Sequence, residues 1–243
     1  MRIALREISP ATPCGYLNDR DWQMEHMRME SISAAEYQML MEEGWRHFGH
    51  WVFRPVCKTC RACRSVRIPV DRFLPNRSQK RIARENRGIL EPVFGTPALE
   101  EEDLDLFDRW HAFQSSNKGW PEHEMGNFSS FYDTFIDQPF SVEAWHYRLD
   151  GKLLGLGFVD VLPDALSAIY FCYEPVVRDR SPGIWNVLRL IEEARLRKLS
   201  HVYLGYWVEG CKGMNYKRNF NPTEIRNEKG LWVAPEDWSD PAT

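Results

Sequence analysis

The period of the hydrophobic positions changes several times along the chain, and each change marks an element. Ser33-Ala34-Ala35-Glu36 has the spacing of a capping box, in which a hydroxyl and a carboxylate each satisfy the other residue's backbone amide, and Gly44 is a stop signal. The helix between them would place Tyr37, Leu40 and Met41 on one face. Residues 45–53 are rich in aromatics and broken by Gly49, which predicts a short hairpin. Val66-Arg67-Ile68-Pro69-Val70 alternates up to its proline and reads as a strand, and residues 78–87 read as a basic helix stopped by Gly88. Thr96-Pro97 opens another helix, with proline tolerated in the first turn, and Leu104, Phe107 and Trp110 are spaced for a packed face. Residues 127–137 suggest a further short helix. From Ser141 the period falls to two: 142–147 alternates, Asp150-Gly151 is a strong hairpin turn, 153–162 returns, and 165–173 makes a third strand. Pro182-Gly183 precedes a helix over 184–199 with Trp185, Leu188, Ile191 and Leu196 inward, and 201–206 reads as a buried strand. Residues 1–32 carry turn signals at Pro10, Pro13 and Asn18-Asp19 and read as irregular.

Strands and helices in separate runs give an α+β class. The order β-β-β-α-β in the second half is similar to the core of the GNAT acyltransferase superfamily, an analogy of fold that does not by itself give function. Pro92, Gly95 and Pro97 mark a shift in composition. The expected division is an N-terminal cysteine-rich, basic region over 1–92 and a GNAT-like transfer region with a mixed sheet and packed helices over 93–243.

Composition alters this picture locally. The formal net charge is -4. Yet residues 45–90 carry Arg46, Arg54, Lys58, Arg61, Arg64, Arg67, Arg72, Arg77, Lys80, Arg81, Arg84 and Arg87 against only Asp71 and Glu85. A basic block in an acidic chain points to a polyanion, most simply a nucleic acid, although a charge run is more often a solvated face. Inside the block, Cys57, Cys60 and Cys63 recur every third residue. Thiols at that spacing can face one ion across a tight turn, and Cys14, between Pro13 and Gly15, supplies a fourth. The set Cys14, Cys57, Cys60, Cys63 accepts zinc or an iron–sulfur cluster equally well. No run reaches the length of a membrane span, and the first residues have no signal-peptide core, so a cytoplasmic location with reduced thiols is expected.

A second dense segment runs from Tyr203-Leu204-Gly205-Tyr206 through Met214-Asn215-Tyr216-Lys217. It leaves the end of a strand, where α/β folds often bind ligands. Lys217 can face an anion, and Tyr206 and Tyr216 can hydrogen-bond or stack on a base. Taken singly, each has a plainer reading as a core tyrosine or a solvated lysine. Cys172, in an apolar strand, reads as core, and Cys211 as a free turn cysteine or a thiol lining a site.

Pro13-Cys14-x-Tyr16-Leu17, Arg54-Pro55-x-Cys57-x-x-Cys60-x-Ala62-Cys63, Arg77-Ser78-Gln79-Lys80-Arg81, Ser167-Ala168-x-Tyr170, and Tyr203-Leu204-Gly205-Tyr206 with Met214-Asn215-Tyr216-Lys217 together resemble the arginyl-tRNA–protein transferase family. The likeness is to its bacterial aspartate/glutamate leucyltransferase branch and spans about residues 10–233. It implies transfer of an amino acid from its tRNA to the amine of a protein beginning with Asp or Glu, making a degradation signal of the N-end rule type. Eukaryotic members transfer arginine and the bacterial branch leucine. The resemblance implies a cysteine-bound cluster or zinc in the N-terminal region, and aminoacyl-tRNA and acidic-ended proteins as partners. It places Tyr206, Asn215, Tyr216 and Lys217 at the transfer site. Arg54, Arg77, Ser78, Gln79, Lys80, Arg81 and Tyr170 fall on the substrate or tRNA side. The aminoacyl ester is already activated, so alignment and oxyanion stabilisation suffice without a covalent nucleophile, but some group must accept a proton.

Bacterial members often carry an Arg-His pair before a glycine in mid-chain, where this sequence has Ser115-Ser116-Asn117-Lys118-Gly119. Two other classes compete. A CoA-dependent N-acyltransferase needs a glycine-rich pyrophosphate loop, of which Arg178-Asp179-Arg180-Ser181-Pro182-Gly183 is a loose echo with proline where donors are wanted, so CoA is not expected. A metal-binding RNA module built on residues 1–90 alone would bind tRNA and transfer nothing.

Overall fold

The fold is that of a computed structural model describing residues 1–234. The end of the expected second unit, 235–243, lies outside the described residues. In chain order the elements are β1 (Arg2–Ile8), β2 (Thr12–Pro13), β3 (Asp21–Trp22), β4 (Met24–Ser31), α1 (Ala34–Glu42), β5 (Arg46–Phe48), β6 (Trp51–Pro55), β7 (Cys63–Pro69), α2 (Arg77–Asn86), β8 (Pro92–Gly95) and α3 (Glu101–Lys118). Then follow α4 (Phe128–Phe131), running into a π-helical turn over Tyr132–Ile136, and β9 (Val142–Leu149), β10 (Lys152–Val161), β11 (Ala165–Tyr173), α5 (Pro182–Leu196), β12 (His201–Val208), β13 (Glu224–Arg226) and β14 (Trp232–Val233). The α+β class holds, with a large mixed sheet.

Eight strands form the main sheet in the order β14-β13-β7-β12-β11-β10-β9-β8, and four form a second sheet, β1-β4-β6-β5. Among the described residues of the main sheet only β11 and β12 run parallel. The sheet crosses the division expected near residue 92, because β7 sits between β12 and β13 and β8 pairs with β9. One face is sealed by α2 and α5 around Trp185, Leu190 and Ile191, and the other by α3 and the π-helical turn around Leu106, Phe131 and Phe158. A third cluster (Met29, Tyr37, Met41, Trp45 and Val52) joins the small sheet and α1 to Leu162, Ala165 and Tyr203 of the large one. Among the described residues no helix is long and apolar enough to cross a membrane.

Local chemistry explains the boundaries. Ser33 and Glu36 close the expected capping box, and Asn76 and Gln79 close another at the start of α2. Asp150 (φ 52°) and Gly151 (φ 80°) both take positive φ, as a two-residue hairpin turn of the primed kind demands.

Several expectations are corrected. Residues 1–32 are not irregular: β1 and β4 pair antiparallel, and β4 pairs on to β6. β4 alternates Met27 and Met29 inward, but methionine is a weak strand signal, and β1 is exposed along its length. The helix placed at Thr96-Pro97 begins only at Glu101, with Glu100 at its N-cap, and residues 96–100 form a connection after β8. The single helix over 127–137 is four α-helical residues and a π turn. Leu196 does not point inward; it is 71% exposed at the end of α5.

Candidate active site

The parallel pair β11–β12 is where the sheet opens. Its register covers only Ala165–His201, Leu166–Val202 and Ser167–Tyr203, although β11 continues to Tyr173 and β12 to Val208. Beyond Tyr203 the pairing of β12 with β7 is also irregular, with Gly205 at φ 71° inside the irregularity. A left-handed residue there needs glycine. Strands that part at their carboxyl ends leave polar backbone and a wedge, the usual place for a ligand in sheets with parallel strands.

On one side of the wedge are two buried cations. Arg46, on β5, is 6% exposed. It donates through Nη1 to the carbonyls of Met41 and Trp45 and through Nη2 to the Gly205 carbonyl (3.4 Å), and it lies over the rings of Tyr203 (5.6 Å) and Tyr206 (5.4 Å). Among the described residues its Nε has no hydrogen-bond partner. Lys217 is also buried, and its Nζ donates to the Tyr206 carbonyl at 2.6 Å. Burial, and then the charge of Arg46, pushes Lys217 down to about 7, with Cys211 acting the other way. Among the described residues no carboxylate pairs with either cation. Two desolvated like charges without a counter-charge are costly, and an incoming carboxylate removes the cost.

The neighbouring tyrosines are held tightly. The Tyr206 hydroxyl donates to the Gly44 carbonyl (2.7 Å), and burial raises its pKa well above the usual range. Arg54, eight residues from Arg46 around the hairpin pairing β5 to β6, is tied to Glu25 at 2.8 Å and stacked 4.4 Å from the Trp45 ring centroid. Asn215 and Tyr216, on the turn that carries Lys217, are exposed.

α2 lies beside that turn. Gln79 is buried and donates from Nε2 to the Asn219 carbonyl (3.0 Å), so it fixes the helix to the Lys217 segment. Arg77, Ser78, Lys80 and Arg81 point to solvent. Arg81 pairs with Glu85 at 3.1 Å, while among the described residues Arg77, Lys80 and Arg84 have no acidic partner.

On the other side of the wedge a cleft of about 340 Å³ is lined by Phe48, Phe107, Phe131, Phe135, Tyr170 and two histidines, His111 and His123. Tyr170 pairs through its hydroxyl with His111 Nε2 (2.7 Å). Burial, and then His123, pushes His111 down to about 4, so it is neutral near pH 7. Tyr170 is thus separate from Tyr206 and Lys217, which do not line this cleft.

The thiols gather at the edge of the Lys217 side. Burial pushes Cys63 up to about 12, and Cys57, Cys14, Cys60 and Cys211 add to it in that order. All are free cysteines, and Cys172 is core, fully buried. The Tyr16 amide donates to Cys14 Sγ (3.4 Å) and the Ala62 amide to Cys60 Sγ (3.5 Å). Such amide-to-sulfur bonds within a turn suit thiolate ligands. Among the described residues no group of three or more His, Cys, Asp or Glu side chains is placed to hold a metal ion.

Comparison with known proteins bears on the whole arrangement. The profile for the N terminus of arginine-tRNA-protein transferase matches residues 12–81, and that for its C terminus matches 102–227. The chain belongs to this transferase family. It is 33% identical to an aspartate/glutamate leucyltransferase of Campylobacter jejuni over 214 residues, 87% of this chain and 88% of that one. It is 42% identical to one of Pseudomonas fluorescens over 197 residues, 81% and 82% of the two chains. Among solved structures the crystal structure of FemX superimposes with a TM-score of 0.51 over 92% of this chain and 86% of that one, at 10% identity, a likeness of fold alone.

Within this family chain, sequence reading singled out Lys217 but not Arg46, which stood unmarked in the basic block. His111, His123 and Asp108 were not singled out at all, and no local motif flags them.

Proposed function

We propose that this chain moves an aminoacyl group, leucyl or arginyl, from charged tRNA to the α-amine of proteins that begin with Asp or Glu. The observation that carries this reading is the buried Arg46–Lys217 pair, which among the described residues has no carboxylate of its own. An acidic side chain seated there gains two charge-assisted contacts in a desolvated site, whereas a neutral residue leaves both cations uncompensated. The donor ester is activated, so holding amine and ester together supplies much of the rate. The exposed Arg77, Lys80 and Arg84 of α2 suit the phosphates of the tRNA. The product, with a new N-terminal residue, would serve as a degradation signal.

In this reading Cys14, Cys57, Cys60 and Cys63 would hold zinc or an iron–sulfur cluster, tying the segment around Cys14 to the 57–63 turn. The reduced cytoplasm suits such a site. Protein purified without oxygen should carry metal, and Cys60→Ser should lower its content by elemental analysis.

The deciding assay supplies tRNA charged with labelled leucine or arginine to peptides beginning with Asp, Glu or Ala. Labelling of the Asp and Glu peptides but not the Ala peptide supports the reading and names the donor. No labelling from either donor refutes it.

A further inference from the structure

The aromatic cleft contains an imidazole held by a buried carboxylate. His123 Nε2 lies 2.6 Å from Asp108 Oδ1, and Asp108 Oδ2 accepts from the Gly126 amide at 2.7 Å. Asp108 is 4% exposed, on the buried side of α3. A carboxylate without its proton only accepts, so Nε2 of His123 carries the hydrogen and Nδ1 is left as an acceptor. This is the arrangement in which a buried acid fixes the tautomer of a catalytic base.

The cleft also adjoins the anion site. Arg46 and Phe48 are two residues apart on β5, hence on the same face and roughly 7 Å from one another along the strand. Arg46 reaches the Lys217 side and Phe48 lines the cleft. The substrate end has matching polarity: a side-chain carboxylate and, a few bonds away, an α-ammonium. The Arg46–Lys217 side is cationic. The cleft side is lined by Glu122 and Glu124, with the buried Asp108 behind His123, and these acids attract an ammonium and repel the acidic side chain.

We propose that His123, oriented by Asp108, is the proton acceptor for the attacking amine and thus a catalytic residue. The inference rests on the function proposed above. With a proton taken from the ammonium, the amine lone pair attacks the ester carbonyl carbon and a C–N bond forms. The tetrahedral intermediate collapses by breaking the C–O bond to the ribose. The second proton of the attacking nitrogen passes to the leaving ribose oxygen, and the first returns from His123 to solvent. The groups facing His123 are Asp108 and His111 of α3, Tyr170 of β11, Glu122 and Glu124 of its own loop, and the uncharged Ser130 and Thr134. Tyr170 and His111 hold one another at 2.7 Å and form the wall behind it, with the two imidazole centroids 4.5 Å apart.

The test is single-turnover transfer from charged tRNA to an Asp peptide, comparing the full chain with His123→Ala, His123→Asn and Asp108→Asn, with and without added imidazole. The expected result is a fall of about 100-fold or more in the transfer step for His123→Ala, with peptide KM within a few-fold of wild type and partial recovery in imidazole. Asp108→Asn should lower the rate while shifting the pH at which it falls off, which a loop staple would not do. Should His123→Ala melt early, His123→Asn, which keeps a polar side chain of similar size, gives the same reading. Rates within threefold of wild type in a folded His123 variant overturn the proposal while leaving the transfer activity standing. A wild type that labels no acidic peptide overturns both.

Discussion

The chain uses cations in two opposite ways, on α2 and beside the β11–β12 wedge. On α2, Arg77, Lys80 and Arg84 stand in solvent at ordinary cost, screened by salt and free to meet any polyanion. At the wedge, Arg46 and Lys217 are buried, close enough for Arg46 to depress Lys217, and among the described residues without an acid. The first arrangement gives attraction without discrimination. The second gives discrimination, because only a carboxylate in the right place removes the cost of burial. An enzyme that must hold any tRNA body but choose one kind of amino terminus needs both.

The largest effect that could break this contrast is at the wedge. Arg46→Ala should lower kcat/KM for an Asp peptide by about 30-fold or more, since truncating one partner of a buried charge contact costs roughly 2–5 kcal/mol, while tRNA affinity stays within twofold. Steady-state transfer and filter binding separate the two. On α2 the expected result is the reverse. Replacing Arg77, Lys80 and Arg84 by serine should weaken tRNA binding and reduce the slope of log affinity against log salt by about 2–3, with the preference for Asp over Ala peptides kept.

A smaller effect comes from pH. Lys217 has a free-state pKa near 7, below its ordinary value, so its charge is present below about pH 7 and lost above it. Affinity for an Asp peptide should therefore weaken as pH rises through 7, leaving Arg46 alone, and Lys217→Arg should flatten the profile because a guanidinium stays charged. The same depression means that the unfolded chain holds more protons than the folded one between about pH 7 and the ordinary lysine value. Stability should then rise with pH across that window. Smallest for function, though not for folding, is Gly49→Ala. Gly49 has φ 52° and an added Cβ would lie 1.9 Å from the Asp133 carbonyl oxygen, so thermal unfolding should come several degrees earlier. The Gly49 amide bond to the Thr134 carbonyl (3.0 Å) joins the β5–β6 hairpin to the cleft wall.

What could be read in the sequence follows the range of the interactions. Capping residues, the Asp150-Gly151 turn and the alternation from Ser141 onward act over a few residues, and the elements they predict are present. β1 and β4 owe their pairing to partners far along the chain, and neither has β-branched runs to announce it. The cysteines declared themselves by spacing. Arg46 did not, because nothing near it distinguishes a buried arginine from the exposed ones of the same basic block. Its character depends on Gly205, Tyr203 and Tyr206, which arrive from β12. The pairing of His123 with Asp108 likewise depends on a loop folding back over α3. Gln79 stood among the substrate residues in sequence, and the structure spends it on the Asn76 cap and the Asn219 carbonyl.

The most direct measurement compares peptides beginning with Asp and Asn, which differ in charge and hardly in shape, in the wild type and in the double variant Arg46→Gln, Lys217→Gln. A preference for Asp of about 100-fold in the wild type that falls close to unity in the double variant is the predicted result. A double variant that still transfers to Asp and refuses Asn would show that the acid is recognised elsewhere, and would contradict the account.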